Sequence, residues 1–349
     1  SLLPDEFAQM MQGIRRVEES MGQGGERSIS QGEMMNREVL AKSLVAACDV
    51  PAGTEITEAM VRIQSPGQGL QPNRLNDLIG RRLPVAKAQG EVFFPSDLET
   101  PAATPRHYRF KQPFGLPVRY HDIKVFSQVS NLDLVEIHLS YKDLEVDLDQ
   151  VLPNRQGIGL VVHAPELFAG DHTLDLCTED SSYRDHSIAE LQRVIDISRD
   201  LRTRFQCPDP VLLVTNVGGF SEHHHLSRSE REPLRERLIA SLQQLNTAGE
   251  VEIIPQTMPP FPWHFGGQRF HNLFVDSDFI HQFCEEQGMR VCLDVSHSKL
   301  ACNHLHIPFR QFLDQILPFT AHLHLADAKD VDGEGLQIND GDIDWVQLF

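Results

Sequence analysis

The sequence predicts an α/β protein in which a small β-rich module precedes a parallel (β/α)₈ barrel that lacks its last strand. Three observations predict this fold. From about residue 115 onward, apolar runs of strand length alternate with helical stretches, which is typical of parallel β/α architecture. Residues 36–100 hold short β-like runs between turn signals, and a Pro-rich link at 100–106 separates the two regions.

Composition narrows the class of protein. The 349 residues include 50 Asp and Glu against 31 Lys and Arg, and the formal net charge of −19 is spread along the chain. A diffuse negative charge argues against nucleic acid or an anionic membrane as the partner, because both require clustered basic residues. The six cysteines form no Cys-x-x-Cys pair, which indicates free thiols and predicts a cytoplasmic protein. Both ends are abrupt, so we expect a piece of a longer polypeptide.

The N-terminal 100 residues divide into two parts. Residues 1–35 predict one amphipathic helix, because Phe7, Met10, Ile14 and Val17 recur at helical spacing. In residues 36–100, β-like runs at 40–47 and 91–94 and turns at 51–53 and 65–67 predict the β-rich module.

The barrel region follows a linker that we place at 101–114. Seven strands are predicted, at 117–120, 134–139, 158–163, 211–216, 251–255, 290–295 and 321–325. Four helices are predicted between them, at 187–204, 233–244, 277–287 and 308–317. A closed barrel requires eight strands, so the eighth is expected beyond Phe349. An open doubly wound sheet is the alternative, although the Gly-rich turn after its first strand is missing.

Polar side chains follow the apolar strands at their C-terminal ends, where barrels place their chemistry. The candidates are His138, His163, Glu166, Gln256, Asp294, His297, His324 and Asp327. So many polar groups are costly to bury unless they are paired or bound to a metal. Asp294, His297 and His324 are the predicted metal ligands, and imidazole with carboxylate suits Mn²⁺, Co²⁺, Zn²⁺ or Mg²⁺.

Two loops contain further candidates. The aromatic loop at 258–267 follows the fifth strand, so Trp263 and His264 are predicted substrate contacts, with a plug of the barrel mouth as the equal alternative. The run His223–His225 is interpreted as a solvated loop, because adjacent His side chains diverge.

The strand ends resemble the xylose-isomerase-like TIM barrels of the sugar-phosphate isomerase/epimerase superfamily. Leu293-Asp-Val-Ser-His297 and His322-Leu-His-Leu-Ala-Asp327 carry this resemblance, which covers Phe114 to Phe349. It implies a sugar or sugar-phosphate substrate, with Asp327 as a contact, and a divalent metal held by a Glu, an Asp, a His and a second Glu on strands five to eight. Asp294 and His324 match that Asp and His, and His297 matches a His near the metal.

The barrel departs from this pattern at the fifth strand. Gln256 stands at the position of the first Glu, where it is the fourth predicted metal ligand, and the second Glu is expected beyond the chain. Because Gln cannot take a proton, either His163, Glu166 or His138 is the base, or the barrel has lost isomerase activity.

The N-terminal parts resemble the C-terminal portion of sialic acid synthases. Four segments carry this resemblance in order: Asn36–Val45, Asp49–Thr57, Ser65–Leu70 and Leu78–Arg81. They identify residues 36–100 with the SAF, or antifreeze-like, domain, and residues 1–35 with the last helix of the synthase barrel. The resemblance implies a homodimer of the full-length protein. It also implies that an Arg touches the N-acylmannosamine; Ser65 stands at that position here, and Arg62 is the candidate substitute.

The leading hypothesis is therefore a bifunctional protein of nonulosonic acid biosynthesis, with an isomerase-like barrel at 115–349. The alternative is a non-catalytic sugar-binding or assembly module that serves the synthase. An apurinic-site endonuclease, which shares the barrel fold, is disfavoured by the net charge of −19.

Overall fold

A computed structural model describes residues 3–21, 33, 36–37, 40–98, 108–206, 210–261, 269–331 and 333–348. The helices are α1 Pro4–Ser20, α2 Leu75–Leu78, α3 Ile123–Val129, α4 Leu148–Val151, α5 Ser181–Arg202, α6 Arg228–Leu242, α7 Ser277–Gln287, α8 Val295–Leu305, α9 Phe309–Ile316 and α10 Trp345–Leu348. The first strands are β1 Ser43–Ala46, β2 Val61–Gln64, β3 Gly115–Val118, β4 Leu134–His138, β5 Gly159–His163, β6 Leu167–Phe168 and β7 His172–Thr173. The others are β8 Val211–Thr215, β9 Phe220–Ser221, β10 Val251–Pro255, β11 Phe270–His271, β12 Val291–Asp294, β13 Thr320–His324, β14 Asp327–Lys329 and β15 Gly333–Leu336.

Seven parallel strands form the wall of the barrel in the order in which they occur along the chain. β3, β4, β5, β8 and β10 form one parallel sheet, and β12 pairs in parallel with β13. A parallel bridge between Gln256 and Cys292 joins the two groups. A doubly wound sheet reverses its strand order at a switch point, and this order does not reverse. The prediction of an α/β barrel is confirmed, and each predicted strand lies within two residues of the observed one.

The predicted helix starts were less accurate than the predicted strands. Helix α7 has the predicted bounds, but α5 begins six residues early because the Asp180 carboxylate accepts from the N–H groups of Ser182 and Tyr183. Helix α6 begins at Arg228, after a capping box between Ser227 and Glu230. In both cases a polar cap outside the apolar pattern sets the first turn.

The interior of the barrel has an apolar layer beneath a polar one. Val161, Val214, Ile254 and Cys292 are buried together in one cluster. Since side chains alternate across a strand, the residue two positions later faces the same way. Those residues are His163, Asn216, Gln256 and Asp294, and all four are buried. The interpretation of Cys292 as a small core residue agrees with this layer, and burial raises the pKa of its thiol to about 11.

The outer face of the wall packs against the helices. On β4, Val135 and Ile137 point into the main core, opposite to Glu136 and His138. Helix α9 covers this core with Phe312. Among the described residues, no helix is both long and apolar enough to span a bilayer.

The N-terminal module has a core of its own. β1 and β2 pair antiparallel, and isolated bridges join Val45 to Val92 and Val50 to Lys87. The buried side chains of this module include those of Leu44, Ile56, Leu78 and Phe93. This agrees with the predicted β-rich module, whereas α1, predicted within residues 1–35, exposes Phe7, Met10, Ile14 and Val17.

Asp327 organises the segment that follows the last barrel strand. Its Oδ1 accepts from the backbone N–H groups of Ala328 at 2.8 Å and Ile343 at 3.2 Å. Its Oδ2 accepts from the N–H of Asn339 and from Nε1 of Trp345, both at 2.8 Å. The carboxylate is fully buried, so it joins β14 to the approach to α10.

We predict that Asp327→Ala destabilises the protein by about 3 kcal/mol, because two buried and two partly buried hydrogen bonds lose their acceptor. Urea unfolding measures the change. Asp340→Ala, an exposed substitution in the same segment, is the control and is expected to change stability by less than about 0.5 kcal/mol. Equal stability of the two variants would contradict the structural role of Asp327.

Candidate functional site

The polar layer inside the barrel gathers side chains from five strand ends. We call this group the strand-end cluster; its members are Glu136, His138, His163, Gln256, Asp294, His322 and His324. Each member lies on, or directly after, a parallel strand at its carboxyl end. The predicted convergence of strand-end residues at one place therefore occurs in the structure.

Glu136 is the centre of the cluster. Its Oε1 lies 2.5 Å from Nε2 of His138, and its Oε2 lies 2.6 Å from Nε2 of His322 and 2.8 Å from Nε2 of His324. Burial alone would raise the pKa of Glu136, but the charge of His324 and the three imidazole hydrogen bonds hold it well below its usual range. The carboxylate is therefore ionised at neutral pH.

Gln256 occupies the middle of the cluster on the other side. Its amide nitrogen lies 3.1 Å from Asp294 Oδ2 and 3.1 Å from His324 Nδ1, and its amide oxygen lies 3.1 Å from His163 Nε2. The amide thus separates Asp294 from His163. A donor –NH₂ group stands where the family pattern implies a carboxylate ligand.

His297 lies in the first turn of α8, a helix that the sequence did not predict. Its backbone N–H donates to Oδ1 of Asp294, which caps the helix. Its ring Nδ1 lies 2.9 Å from the Thr257 carbonyl oxygen and its Nε2 lies 3.0 Å from Oε1 of Glu334. Burial opposes the charged ring, but Asp294 and Glu334 raise the pKa of His297 to about 9. Both ring nitrogens therefore carry protons at neutral pH.

The four predicted metal ligands lie together, but their arrangement does not fit a cation. His297 directs its Nδ1 to the Thr257 carbonyl oxygen and its Nε2 to Glu334, and Nδ1 lies 3.7 Å from Oδ2 of Asp294. Gln256 turns its –NH₂ toward Asp294 and His324, and a cation cannot bind there. The structure therefore gives no support to His297 and Gln256 as ligands.

Among the described residues, two other triplets of ligand atoms converge closely enough for a cation. One is Glu136, His322 and His324, and the other is Glu136, His138 and His163; within each triplet the ligand atoms lie within 4.8 Å of one another. One carboxylate and two imidazoles suit Zn²⁺, Co²⁺ or Mn²⁺. The donor chemistry inside the barrel thus fits a divalent metal, and His324 is the predicted ligand that belongs to one of these triplets.

The predicted bases lie beside this centre. His163 stacks on His138 with ring centroids 4.4 Å apart, and burial followed by the charge of His138 lowers its pKa to about 4. Burial raises the pKa of Glu166 to about 7, against the charge of His297, and Glu334 adds to the rise. His163 is therefore neutral at pH 7, while Glu166 exchanges its proton near that pH.

The predicted substrate contacts divide into three cases. Asp327 has its carboxylate engaged by backbone and indole donors, so its geometry favours a structural role over substrate contact. Arg62 is exposed on β2 of the N-terminal module. Trp263 and His264 lie outside the described residues.

Three side chains of this site were not assigned a role from the sequence. Glu136 and His322 each lie two residues before a selected His, so the two-residue period of a strand was a usable signal for both. Glu334 lies on β15, in a hairpin after the last barrel strand, and no strand-end signal marks it.

Comparisons with known proteins show which proteins the chain is similar to. Curated relatives include N,N'-diacetyllegionaminic acid synthase of Legionella pneumophila, 26% identical over 99 residues, and N-acetylneuraminate-9-phosphate synthase of Mus musculus, 30% identical over 102 residues. These matches cover 28% and 29% of this chain and 28% of each relative, so the chain spans less than a third of either. They fall in the region of the N-terminal module.

Among solved structures, a D-tagatose 3-epimerase-like protein aligns with a TM-score of 0.51 and 18% identity, covering 68% of this chain and 84% of that one. At this identity the likeness shows the fold alone. The SAF domain model matches residues 41–99, and the xylose isomerase-like TIM barrel model matches residues 129–349, more than half of the chain. The chain therefore belongs to the xylose isomerase-like TIM barrel family, with a SAF domain preceding the barrel.

Proposed function

We propose that the barrel binds a sugar or sugar phosphate at the strand-end cluster and isomerises or epimerises it. The observation that carries the proposal is the convergence of carboxylate and imidazole groups at the carboxyl ends of the barrel strands. A barrel of this family with an ionised carboxylate at Glu136, a neutral imidazole at His163 and a titrating carboxyl at Glu166 has the groups that proton transfer requires.

Each group has a role that its geometry supports. Isomerisation and epimerisation of a sugar both move a proton from the carbon next to a carbonyl, which requires a base. Glu166 and His163 supply such bases, since Gln256 cannot accept a proton. A divalent metal bound at the cluster would polarise the sugar carbonyl. The Glu136 carboxylate would hold such a cation together with the imidazoles that contact it.

We further propose that this activity serves nonulosonic acid biosynthesis in the cytoplasm, in a homodimeric full-length protein. The SAF match and the relatives named as legionaminic acid and N-acetylneuraminate-9-phosphate synthases support this assignment. In that setting the exposed Arg62 is the candidate contact for an amino sugar.

Deuterium exchange tests the proposed chemistry. We predict that the full-length protein, incubated in D₂O with a panel of aldoses, ketoses and their phosphates, incorporates deuterium next to the carbonyl of at least one sugar, as read by NMR. Glu166→Gln should slow exchange by about 100-fold, in line with the loss of a general base. Glu179→Gln is the matched control, an exposed substitution in the same connection between β5 and α5, and it should leave the exchange rate unchanged. Undiminished exchange in Glu166→Gln would exclude this residue as the base.

The pKa of Glu166 also predicts a pH dependence of stability. In the unfolded chain this carboxyl loses its proton near its ordinary pKa of 4.5, but in the folded protein it keeps the proton up to about pH 7. The folded state therefore binds more protons, and its stability falls as the pH rises from 5 to 8. Relative to wild type, Glu166→Gln should gain on the order of 2–3 kcal/mol over this range. Urea unfolding at both pH values measures it; a pH-independent difference would contradict the raised pKa.

Gln256 favours a second candidate function, a non-catalytic sugar-binding or assembly module. Its amide fills the place of a family carboxylate and hydrogen-bonds to Asp294. If this candidate is right, wild type shows no exchange with any sugar, and Gln256→Glu raises affinity for Mn²⁺ by at least about 10-fold, because a carboxylate replaces the donor amide. Isothermal titration with Mn²⁺ measures the affinity. Exchange by the wild-type protein would exclude the non-catalytic candidate.

A further inference from the structure

The Gln256 amide occupies the metal position that the family pattern implies. Its orientation is set by two neighbouring side chains, those of His163 and Asp294. His163 Nδ1 lies 2.8 Å from the Ala164 carbonyl oxygen, and a neutral ring that donates there keeps a lone pair on Nε2. That lone pair faces the amide oxygen of Gln256 at 3.1 Å, a contact between two acceptors.

Turning the amide over does not relieve the conflict. The amide oxygen would then face Oδ2 of Asp294, which lies 3.1 Å from the present amide nitrogen. A hydrogen bond to an ionised carboxylate is about twice as strong as one between neutral groups. Asp294 therefore decides the orientation, and the –NH₂ group of Gln256 stays on the carboxylate.

We propose that the divalent cation of this barrel is held instead by Glu136, His322 and His324, on the second and seventh barrel strands. The inference rests on the proposed function for its biological sense and deepens it by naming the ligands. The proposed metal site lies on the Glu136 side of the strand-end cluster, whereas the family pattern implies a site on the Asp294 side.

The ligand atoms already converge. Nε2 of His322 and Nε2 of His324 lie 2.6 Å and 2.8 Å from the same oxygen of Glu136. Ligands about 2.0–2.1 Å from a tetrahedral Zn²⁺ lie about 3.3 Å apart, so each contact must open by only about 0.5–0.7 Å when a cation replaces the bridging proton. His322 and His324 are two residues apart on β13, so the strand directs both inward.

The second nitrogen of His324 has the partner that a metal-bound imidazole requires. Its Nδ1 lies 3.4 Å from Oδ2 of Asp294, the same oxygen that accepts from the Gln256 amide, whose nitrogen is 3.1 Å from Nδ1. A ligating His usually donates its other N–H to a carboxylate, which fixes the ring and strengthens the ligand. In this arrangement Asp294 orients a ligand and is not one itself.

Three protein ligands leave one coordination position of a tetrahedral ion for a substrate or water, as catalytic zinc sites do. The side chains of His322 and His324 are 16% and 19% exposed, so solvent reaches this side of Glu136. With two imidazoles and one carboxylate, the set selects Zn²⁺ or Co²⁺ over Mg²⁺.

Metal binding to the full-length protein tests the proposal. After chelator treatment, the protein is titrated with Zn²⁺ by calorimetry and with Co²⁺ by visible absorption. We expect one equivalent of either ion to bind, with the intense absorption of four-coordinate Co²⁺. His322→Gln and Glu136→Gln should each weaken binding by at least about 100-fold, more than the loss of an outer partner. Asp294→Asn should weaken it by about 10–100-fold and keep the four-coordinate spectrum.

His138→Gln is the matched control. His138, like His322, contacts Glu136 through Nε2, but on the opposite oxygen, Oε1. Because His138 is an outer partner of Glu136, this variant should weaken binding by about 10-fold, clearly less than the loss of at least about 100-fold expected for the ligand variant His322→Gln. The comparison of His138→Gln with His322→Gln decides the question even if Glu136→Gln fails to fold.

Three outcomes would overturn the proposal. Loss of binding in His138→Gln but not in His322→Gln would move the metal to the Glu136, His138 and His163 triplet. Loss of the four-coordinate spectrum in Asp294→Asn, with Glu136→Gln unaffected, would return it to the family position. No binding of either ion by wild type would remove the site.

These outcomes are separate from those of the sugar test. Binding through Asp294 together with deuterium exchange would leave the proposed function standing and this inference refuted. Metal binding through Glu136 and His322 without deuterium exchange in any sugar would support this inference and refute the proposed function.

Discussion

The two-residue alternation of the parallel barrel strands is the constraint on which the rest of this structure depends. An apolar residue on each of four strands, from Val161 to Cys292, fills the inner layer and fixes which side chains face inward. The next inward position along each strand then carries a polar group. A shift of one residue in any strand would remove its polar group from the interior and bring a core residue in its place. Packing and chemistry are therefore coupled through the same register.

Charge balance inside the barrel follows from this placement. Buried carboxylates are costly unless paired, and each one here has partners on other strands. Glu136 on β4 accepts from His322 and His324 on β13, while Asp294 on β12 caps α8 and accepts from Gln256. These contacts cross the interior and connect strands that are far apart in the chain. The cluster therefore contributes to the cohesion of the barrel as well as to its chemistry.

The replacement of a family carboxylate by Gln256 changes the electrostatics of one half of the site. A neutral amide beside Asp294 removes one negative charge and supplies a donor in its place. Asp294 and Glu334 raise the pKa of His297, so its ring is doubly protonated at neutral pH and pairs with Glu334. The other half, around Glu136, keeps an ionised carboxylate with imidazoles on both of its oxygens. The hydrogen-bonding groups around Asp294 are thus paired with one another, whereas the groups around Glu136 suit a cation.

The sequence by itself determined the architecture and the place of the site. Apolar runs of strand length alternating with helices predicted the seven strands within two residues, because buried parallel strands leave a continuous apolar pattern. The rule that barrel chemistry lies at the carboxyl ends of strands selected His138, His163, Asp294 and His324, which do converge. The resemblances to the xylose-isomerase-like barrels and to the SAF domain are confirmed by the family matches.

Only the tertiary structure decided which of these groups pair. Glu136 and His322 lie 186 positions apart, and no local pattern reports a contact of that separation. Because α8 starts at Val295, His297 lies in the first turn of a helix and not at a strand end. The Asp294 side chain caps this helix and accepts the backbone N–H of His297. Asp327 matched the family motif equally well, yet three backbone donors and one indole occupy its carboxylate. A residue's type and spacing predict that it faces the site; which donors surround it depends on the packing of distant segments.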